Sequence, residues 1–274
     1  MTTTLTQFRN LLEIYRGFFR TSLAVQFQYR VAMLIWLLGG IMEPLVYLVV
    51  WTTVARQQGG AVGGFTVPEF AAYYIGAMLV NHAVFTWIMW EYDYRIRSGE
   101  FSAMLLRPVH PIHSDIADNL AYKVLTLAVM LPAALLLAWI FQPRWAPQPW
   151  ALALFPLVLI LAFFTRFFLD WSLAMAAFWT TRINAINQAY FVVLIFFAGR
   201  VAPLDLFPEA VQRLALVLPF RWMLAFPVEL ILGRLTFQEA LAGMGAQLLW
   251  IGIGLVLART VYRAGIRRYA AFGA

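Results

Sequence analysis

Charged residues are scarce in this sequence, so those that interrupt its apolar runs are the first candidates for chemistry. Arg166 and Asp170 lie four apart inside the apolar stretch 145–181. On a helix that spacing puts both on one face, where they can pair. The alternative is that they face a water-filled vestibule or a cavity between two subunits. Glu43 interrupts the run 31–55 and directly precedes Pro44. Proline frees a backbone carbonyl and tends to kink a helix, so the carboxylate can bond a partner at the break or hold a proton. Asn81 and His82 sit in the middle of the run 70–90. Such polar groups bond across to a neighbouring helix or line a path for a polar solute. Each buried charge costs about 2.5–3.5 kcal/mol on insertion scales, so each needs a partner or a task.

Other chemistry is missing. His110 and His113 flank Pro111 with Asp115 close by; two imidazoles in a proline-broken stretch read as a loop rather than a metal site. A phosphate-binding loop ends in Gly-Lys-Ser or Gly-Lys-Thr, and the single lysine, Lys123, follows Tyr122. The chain therefore has no usual means of hydrolysing ATP, and no cofactor is expected within it. No His-Glu-x-x-His or Gly-x-Ser-x-Gly motif is present, and the cysteine count is 0. Disulfides, thiolate metal sites and cysteine nucleophiles are excluded.

The elements that hold these residues follow from composition. Of 274 residues, 63% are hydrophobic and 12% charged, about half the charge of a soluble domain. A membrane helix needs about 20 consecutive apolar residues. Six runs meet or approach that length: 31–55, 70–90, 124–143, 145–181, 183–199 and 240–258. They are continuous, with no period-two alternation, so they are helices and not barrel strands. The expected fold class is all-α: a polytopic membrane protein with six transmembrane helices in one domain over 1–274. Six spans put both termini on one side. That side carries thirteen basic residues, Lys123 and Arg182 among them, and a net charge of +7; the other carries six, including Arg200 and Arg221, and a net charge of +1. The positive side is the cytoplasmic one, so both termini are expected there. The basic surplus is thus a topology signal, and nucleic acid is not needed to explain it.

Three segments lie outside the spans. Residues 1–30 hold four arginines and no unbroken apolar core, so no cleavable signal is expected. Phe8, Leu11, Leu12, Tyr15, Phe18, Phe19 and Leu23 recur at helical spacing, which predicts an amphipathic interfacial helix. The inner stretch 91–117 is longer than a plain connection. Its pattern predicts a short helix exposing Ile96, Phe101, Met104 and Leu105, stopped by Leu106-Arg107-Pro108. Such a helix can dock a soluble partner or rest on lipid. The outer stretch 200–239 is cut by Pro203, Pro208, Pro219 and Pro227 into short helices, expected as re-entrant or interfacial half-helices capping a cavity.

Taken together, the six spans, the N-terminal helix, the stretches Ser98-Gly99-Glu100-Phe101 and Leu105-Leu106-Arg107-Pro108-Val109, and the proline-rich outer pair resemble the permease subunit of a type-2 ATP-binding-cassette (ABC) exporter. The likeness covers essentially the whole chain. It implies two permease subunits, identical or related, above two separate ABC ATPase subunits that hold ATP and Mg. It implies a coupling helix that seats in the ATPase, matching Arg97, Gly99, Glu100, Phe101, Met104, Leu105, Leu106, Arg107 and Pro108 here. It implies a non-catalytic subunit of the bacterial cytoplasmic membrane, in contact with lipid, exporting an amphipathic, lipid-like or drug-like compound. Glu43, Asn81, His82, Arg166 and Asp170 are its candidate path or intramembrane polar residues. Some members carry a large outer domain, for which this chain has no room. The alternatives are a secondary transporter or channel driven by an ion gradient, and a membrane-embedded enzyme, for which no constellation is visible.

Overall fold

The computed structural model describes residues 2–180 and 183–269, with side chains from residue 11 onward. Thr181 and Arg182, and the side chains of Phe8 and Arg9, lie outside the described residues. The helices are α1 (Thr2–Gln28), α2 (Arg30–Gln57), α3 (Val67–Val84), α4 (Ile88–Arg97), α5 (Glu100–Leu105), α6 (Pro111–Phe141), α7 (Pro149–Ala174), α8 (Ile183–Phe197), α9 (Glu209–Val217), α10 (Phe220–Met223), α11 (Ala225–Leu232) and α12 (Phe237–Arg268). A 3-10 turn, Met175–Phe178, extends α7. Strands β1 (Ala61–Val62) and β2 (Phe65–Thr66) form an antiparallel hairpin. Its two-residue turn is Gly63-Gly64, both at positive φ, 54° and 78°, the conformation that a tight hairpin turn requires.

The long helices start where their sequences say they should. Thr66 and Glu69 close a capping box on α3, with the Thr66 amide 2.8 Å from Glu69 Oε2. Thr236 and Glu239 repeat it on α12 at 2.8 Å. Pro149 opens α7 and Pro111 opens α6, the first-turn position where a missing N–H does no harm. His110 caps α6 by accepting the Ile112 amide at 3.2 Å.

The fold is all-α and polytopic. Among the described residues five segments are long and apolar enough to span a membrane: Arg30–Gln57, Val67–Arg97, Pro111–Phe141, Pro149–Phe178 and Phe237–Arg268. The sixth apolar run forms α8, 15 residues long, about 22 Å against a hydrocarbon core of about 30 Å. Two boundaries differ from the apolar ruler. Span two continues through the charged residues to Arg97, and span three begins at Pro111, not near 124. The connection between them therefore shrinks from the expected 91–117 to 98–110, with α5 inside it. Charge does not end a helix once it leaves the hydrocarbon, and i,i+4 pairs such as Glu91–Arg95 at 3.0 Å support it.

Two ends of the bundle can be told apart. At the basal end α1, α5, the start of α6 and the end of α12 meet: Tyr15 Oη lies 2.9 Å from His113 Nδ1, and Ser102 Oγ 2.8 Å from Tyr269 Oη. At the apical end the hairpin meets the starts of α3 and α12, with Arg234 donating to the Gly64 carbonyl at 2.6 Å. The central helix is α3, packed by α2, α6, α7 and α11. α7 and α12 form the most extensive helix pair. Along it Gly243, Gly254 and Gly265 recur every eleven residues. A Cβ at each would lie 2.2 Å from Phe226, 2.9 Å from Phe168 and 2.2 Å from Phe178. Without a hydrophobic drive between helices in lipid, close approach at small residues is what packs them.

Candidate functional site

Span two is broken in the middle. The chain leaves the helix at Phe85 (φ −63°, ψ 143°) and re-enters at Ile88. Irregular backbone at membrane depth survives only where protein or a cavity satisfies it. Here Lys123 of α6 donates to the Phe85 carbonyl at 2.7 Å, and its ammonium lies 4.9 Å from the Phe163 ring. Thr86 donates to Asp170 Oδ2 at 2.7 Å. Lys123 was expected in a connecting loop. It instead lies about 18 Å along α6 from Pro111, because α6 starts earlier than its apolar run.

Asp170 is the hub of this break. Arg166 Nε donates to Oδ2 at 3.2 Å and the Tyr190 hydroxyl to Oδ1 at 2.7 Å. Arg166 Nη1 reaches Asn81 Oδ1 at 3.2 Å, and the guanidinium lies over the Phe85 ring at 5.0 Å. Arg166 and Asp170 pair along α7 as their spacing predicts, and both are buried. Three donors on one carboxylate and an acceptor on the guanidinium leave this pair well satisfied, the condition under which buried charge is tolerated. The network joins α3, α4, α7 and α8. Thr86 and Tyr190 carried no sequence signal, since a hydroxyl within an apolar run is common.

Beside the network is a cavity of about 350 Å³ between α2, α3, α4 and α6. Glu43, Asn81 and His82 line it with Trp36, Phe85, Trp87, Trp90, Tyr122 and Arg200. His82 Nε2 lies 2.9 Å from Thr126 Oγ1 of α6. A second hollow of about 290 Å³ shares Trp36, Trp87, Trp90 and Tyr122 and reaches Glu91. The two form an aromatic groove from mid-span to the basal end. Arg166 and Asp170 stand behind its wall, in contact through Asn81 and Thr86.

Glu43 finds its partner across the molecule. Arg200 Nη2 donates to Glu43 Oε2 at 2.6 Å. α2 runs unbroken through Pro44, so the expected helix break does not form there. Glu43 is the fourteenth of 28 residues in α2, so Arg200 lies near mid-span, not in an outer loop. The chain after α8 is held above Glu43, toward the apical end, by three donors: Tyr73 to the Gly199 carbonyl (2.6 Å), and Tyr74 (2.8 Å) and Trp51 (2.9 Å) to the Val201 carbonyl. Gly199 has φ +76°, and a Cβ there would lie 2.6 Å from Tyr73 Oη. Further along, Gln247 of α12 donates to the Trp222 carbonyl at 2.9 Å, about 15 Å below the start of α12. Arg221 is therefore also inside, paired with Glu229 at 2.6 Å. The apolar ruler could not see this, because prolines and arginines disguise a segment that dips between helices.

At the basal end α5 starts at Gly99, in the left-handed region at φ +81°. Phe101 is fully buried, its ring 5.7 Å from Tyr92, 5.4 Å from Phe178 and 5.4 Å from Tyr269. Ile96 is buried too, and Met104 and Leu105 are half-buried. The expected exposure of these four is thus corrected: the apolar side of α5 packs onto α4 and the end of α12. What faces outward is Arg97, Glu100, Leu106, Arg107 and Pro108, with Leu106 87% exposed. Between α1, α4, α5 and α6 lies a groove of about 580 Å³ that includes Phe18, Met104 and Arg107.

Beneath α5, Asp115 of α6 accepts from Arg95 (2.7 Å), Tyr92 (2.7 Å) and Trp171 Nε1 (3.0 Å). Asp118 accepts from Ser22 of α1. Sequence placed Asp115 beside His110 and His113; in the fold its carboxylate is taken by Arg95 and Tyr92 of α4 and by Trp171 of α7, whose ring packs against His110. The segment from the break through α5 is thereby fastened to α7 and its 3-10 extension at three levels: Thr86 on Asp170, Tyr92 and Trp171 on Asp115, and Phe101 on Phe178.

A family model described as ABC-2 family transporter protein matches residues 41–273. The chain belongs to that family, a family of transporter membrane components. No curated protein matches it.

Proposed function

We propose that this ABC-2 family chain is the membrane-spanning subunit of an ATP-driven exporter of the bacterial cytoplasmic membrane. Both termini lie in the cytoplasm, and a separate ABC ATPase seats on α5. ATP and Mg belong to that partner, and no residue of this chain is assigned to them. A second permease subunit, a copy or a relative, completes the path. The cargo is amphipathic, lipid-like or drug-like.

The observation that carries this reading is α4. It runs from the wall of the aromatic groove, at Trp87 and Trp90, to Arg97, two residues before α5. A push on α5 reaches the Phe85–Trp87 break through one rigid helix about 15 Å long. At the break the Phe85 carbonyl is held by Lys123 of α6 and the Thr86 hydroxyl by Asp170 of α7, so it is where α4 can pivot. Arg200 Nη1 is buried beside the groove with no hydrogen-bond partner among the described residues, a spare donor for an acceptor on the cargo. The exposed Leu106 with Arg97 and Arg107 forms the outward part of the docking surface.

Reconstitution in vesicles with and without the ATPase tests this. Transport requires the ATPase and hydrolysable ATP, and Leu106→Asp abolishes it while leaving the chain folded. Transport by the chain alone on a proton gradient, indifferent to ATP, would establish the secondary-transporter reading instead.

A further inference from the structure

A second polar cavity, of about 460 Å³, lies at the basal end between the start of α6, α7 and α12. Its polar lining is Arg259, Arg263, His110, His113 and Tyr262. Neither guanidinium has a carboxylate partner among the described residues. The two are four apart on α12, so they share one face.

His110 adds a donor. His110 Nδ1 accepts the Ile112 amide, so its proton sits on Nε2. Burial and His113 hold His110 below the usual histidine range, which keeps it neutral and a single donor. His113 Nδ1 lies 2.9 Å from the Tyr15 hydroxyl, and its ring lines the same space. The first turn of α6, the positive end of a 31-residue helix, borders the same space. Among the described residues no carboxylate lines the cavity, and Asp115 beside it has both oxygens committed to Arg95, Tyr92 and Trp171.

Donors and cations without an acceptor make a site for an anion. The rest of the lining is apolar, with Ile116, Phe168 and Leu255 leading toward the bilayer interior. We propose that this cavity binds an anionic phospholipid, its phosphate held by Arg259 and Arg263 and an acyl chain laid along Ile116, Phe168 and Leu255. Paired guanidiniums match phosphate oxygens in a fork, and basic pockets between membrane helices suit lipid headgroups. The apolar floor favours a lipid over a free phosphate ion.

The test uses the full chain, purified in detergent, with native mass spectrometry and thermal melting. Phosphatidylglycerol, phosphatidylcholine and inorganic phosphate are the probes. Phosphatidylglycerol is retained and raises the melting temperature; phosphatidylcholine and inorganic phosphate at equal concentration do neither. Arg259→Gln/Arg263→Gln weakens phosphatidylglycerol binding about tenfold or more, the loss of a charge-assisted fork. Arg267→Gln/Arg268→Gln removes the same charge one turn further on and changes it less than about twofold. Three results overturn the proposal: equal loss in both double variants, which marks general charge attraction; undiminished binding in the Arg259/Arg263 variant; or a full shift from inorganic phosphate, which marks a soluble anion. The contrast among the three probes on the wild-type chain decides the matter even where a glutamine variant misfolds. Arg259→Lys/Arg263→Lys, which keeps charge and loses the fork, falls between.

Discussion

Asp170→Ala is the most informative perturbation of the broken span. The carboxylate accepts from Arg166, Thr86 and Tyr190 and is fully buried. Without it the Arg166 guanidinium keeps only Asn81 Oδ1 and the Phe85 ring. Removing one partner of a buried ion pair costs about 3–5 kcal/mol, because the other charge is stranded. In Arg166→Ala/Asp170→Ala no charge is stranded. What remains is the orphaned Thr86 and Tyr190 hydroxyls, about 1–3 kcal/mol. The double variant is therefore more stable than Asp170→Ala by about 2 kcal/mol. Reversible unfolding in mixed micelles, read by tryptophan fluorescence over wild type, both singles and the double, measures the four corners of the cycle. Losses that simply add, leaving the double the least stable, would refute the claim that these side chains act as one unit. Asp170→Asn separates charge from shape: it retains an acceptor for Thr86 or Tyr190 and still strands Arg166, so it patterns with the alanine single variant.

Other residues give sharper local tests. Leu106→Asp, at a side chain 87% exposed, leaves the stability within about 0.5 kcal/mol of wild type and abolishes co-purification of the ATPase. Phe101→Ala empties a closed aromatic cluster and destabilises by about 3–5 kcal/mol, so in thermal melts the two neighbours behave oppositely. Gly243→Ala drives a Cβ to 2.2 Å from the buried Phe226 ring and costs about 1–3 kcal/mol. Gly245→Ala, with nothing within 4 Å on the same helix, stabilises by about 0.5–1 kcal/mol through helix propensity. Gly233→Ala combines φ +74° with a 2.0 Å approach to the Ala146 carbonyl oxygen. It loses about 2–4 kcal/mol in the same unfolding assay.

The order of the helices was legible in the sequence because it rests on local quantities. Apolar run length identifies membrane spans, but not their ends: the starts of α3, α6 and α12 are set by proline and Thr-x-x-Glu caps that lie outside the apolar runs, and that of α7 by Pro149 within one. Arg166 and Asp170 could be paired in advance for the same reason: the pairing is set by one helix's own pitch. The helical stretch containing Phe101 was likewise visible, but not which way it faces. Periodicity defines an apolar side, and only Tyr92, Phe178 and Tyr269 decide that this side turns inward.

The remaining features depend on partners far along the chain. Arg200 meets Glu43 across 157 positions, and Tyr74 and Trp51 take the Val201 carbonyl across 127 and 150. No window of twenty residues contains such a pair. Lys123 reads as a boundary charge until the break at Phe85 offers it a carbonyl. Arg259 and Arg263 read as part of a basic tail until the start of α6 comes alongside with two imidazoles and with its Asp115 already taken by Arg95, Tyr92 and Trp171. Sequence by itself determined the solvent this protein lives in and the helices that cross it, because hydrocarbon imposes length and apolarity on every span separately. Tertiary structure alone decided which scarce charges are neutralised and which are left for a ligand, because a buried charge is satisfied by geometry across helices.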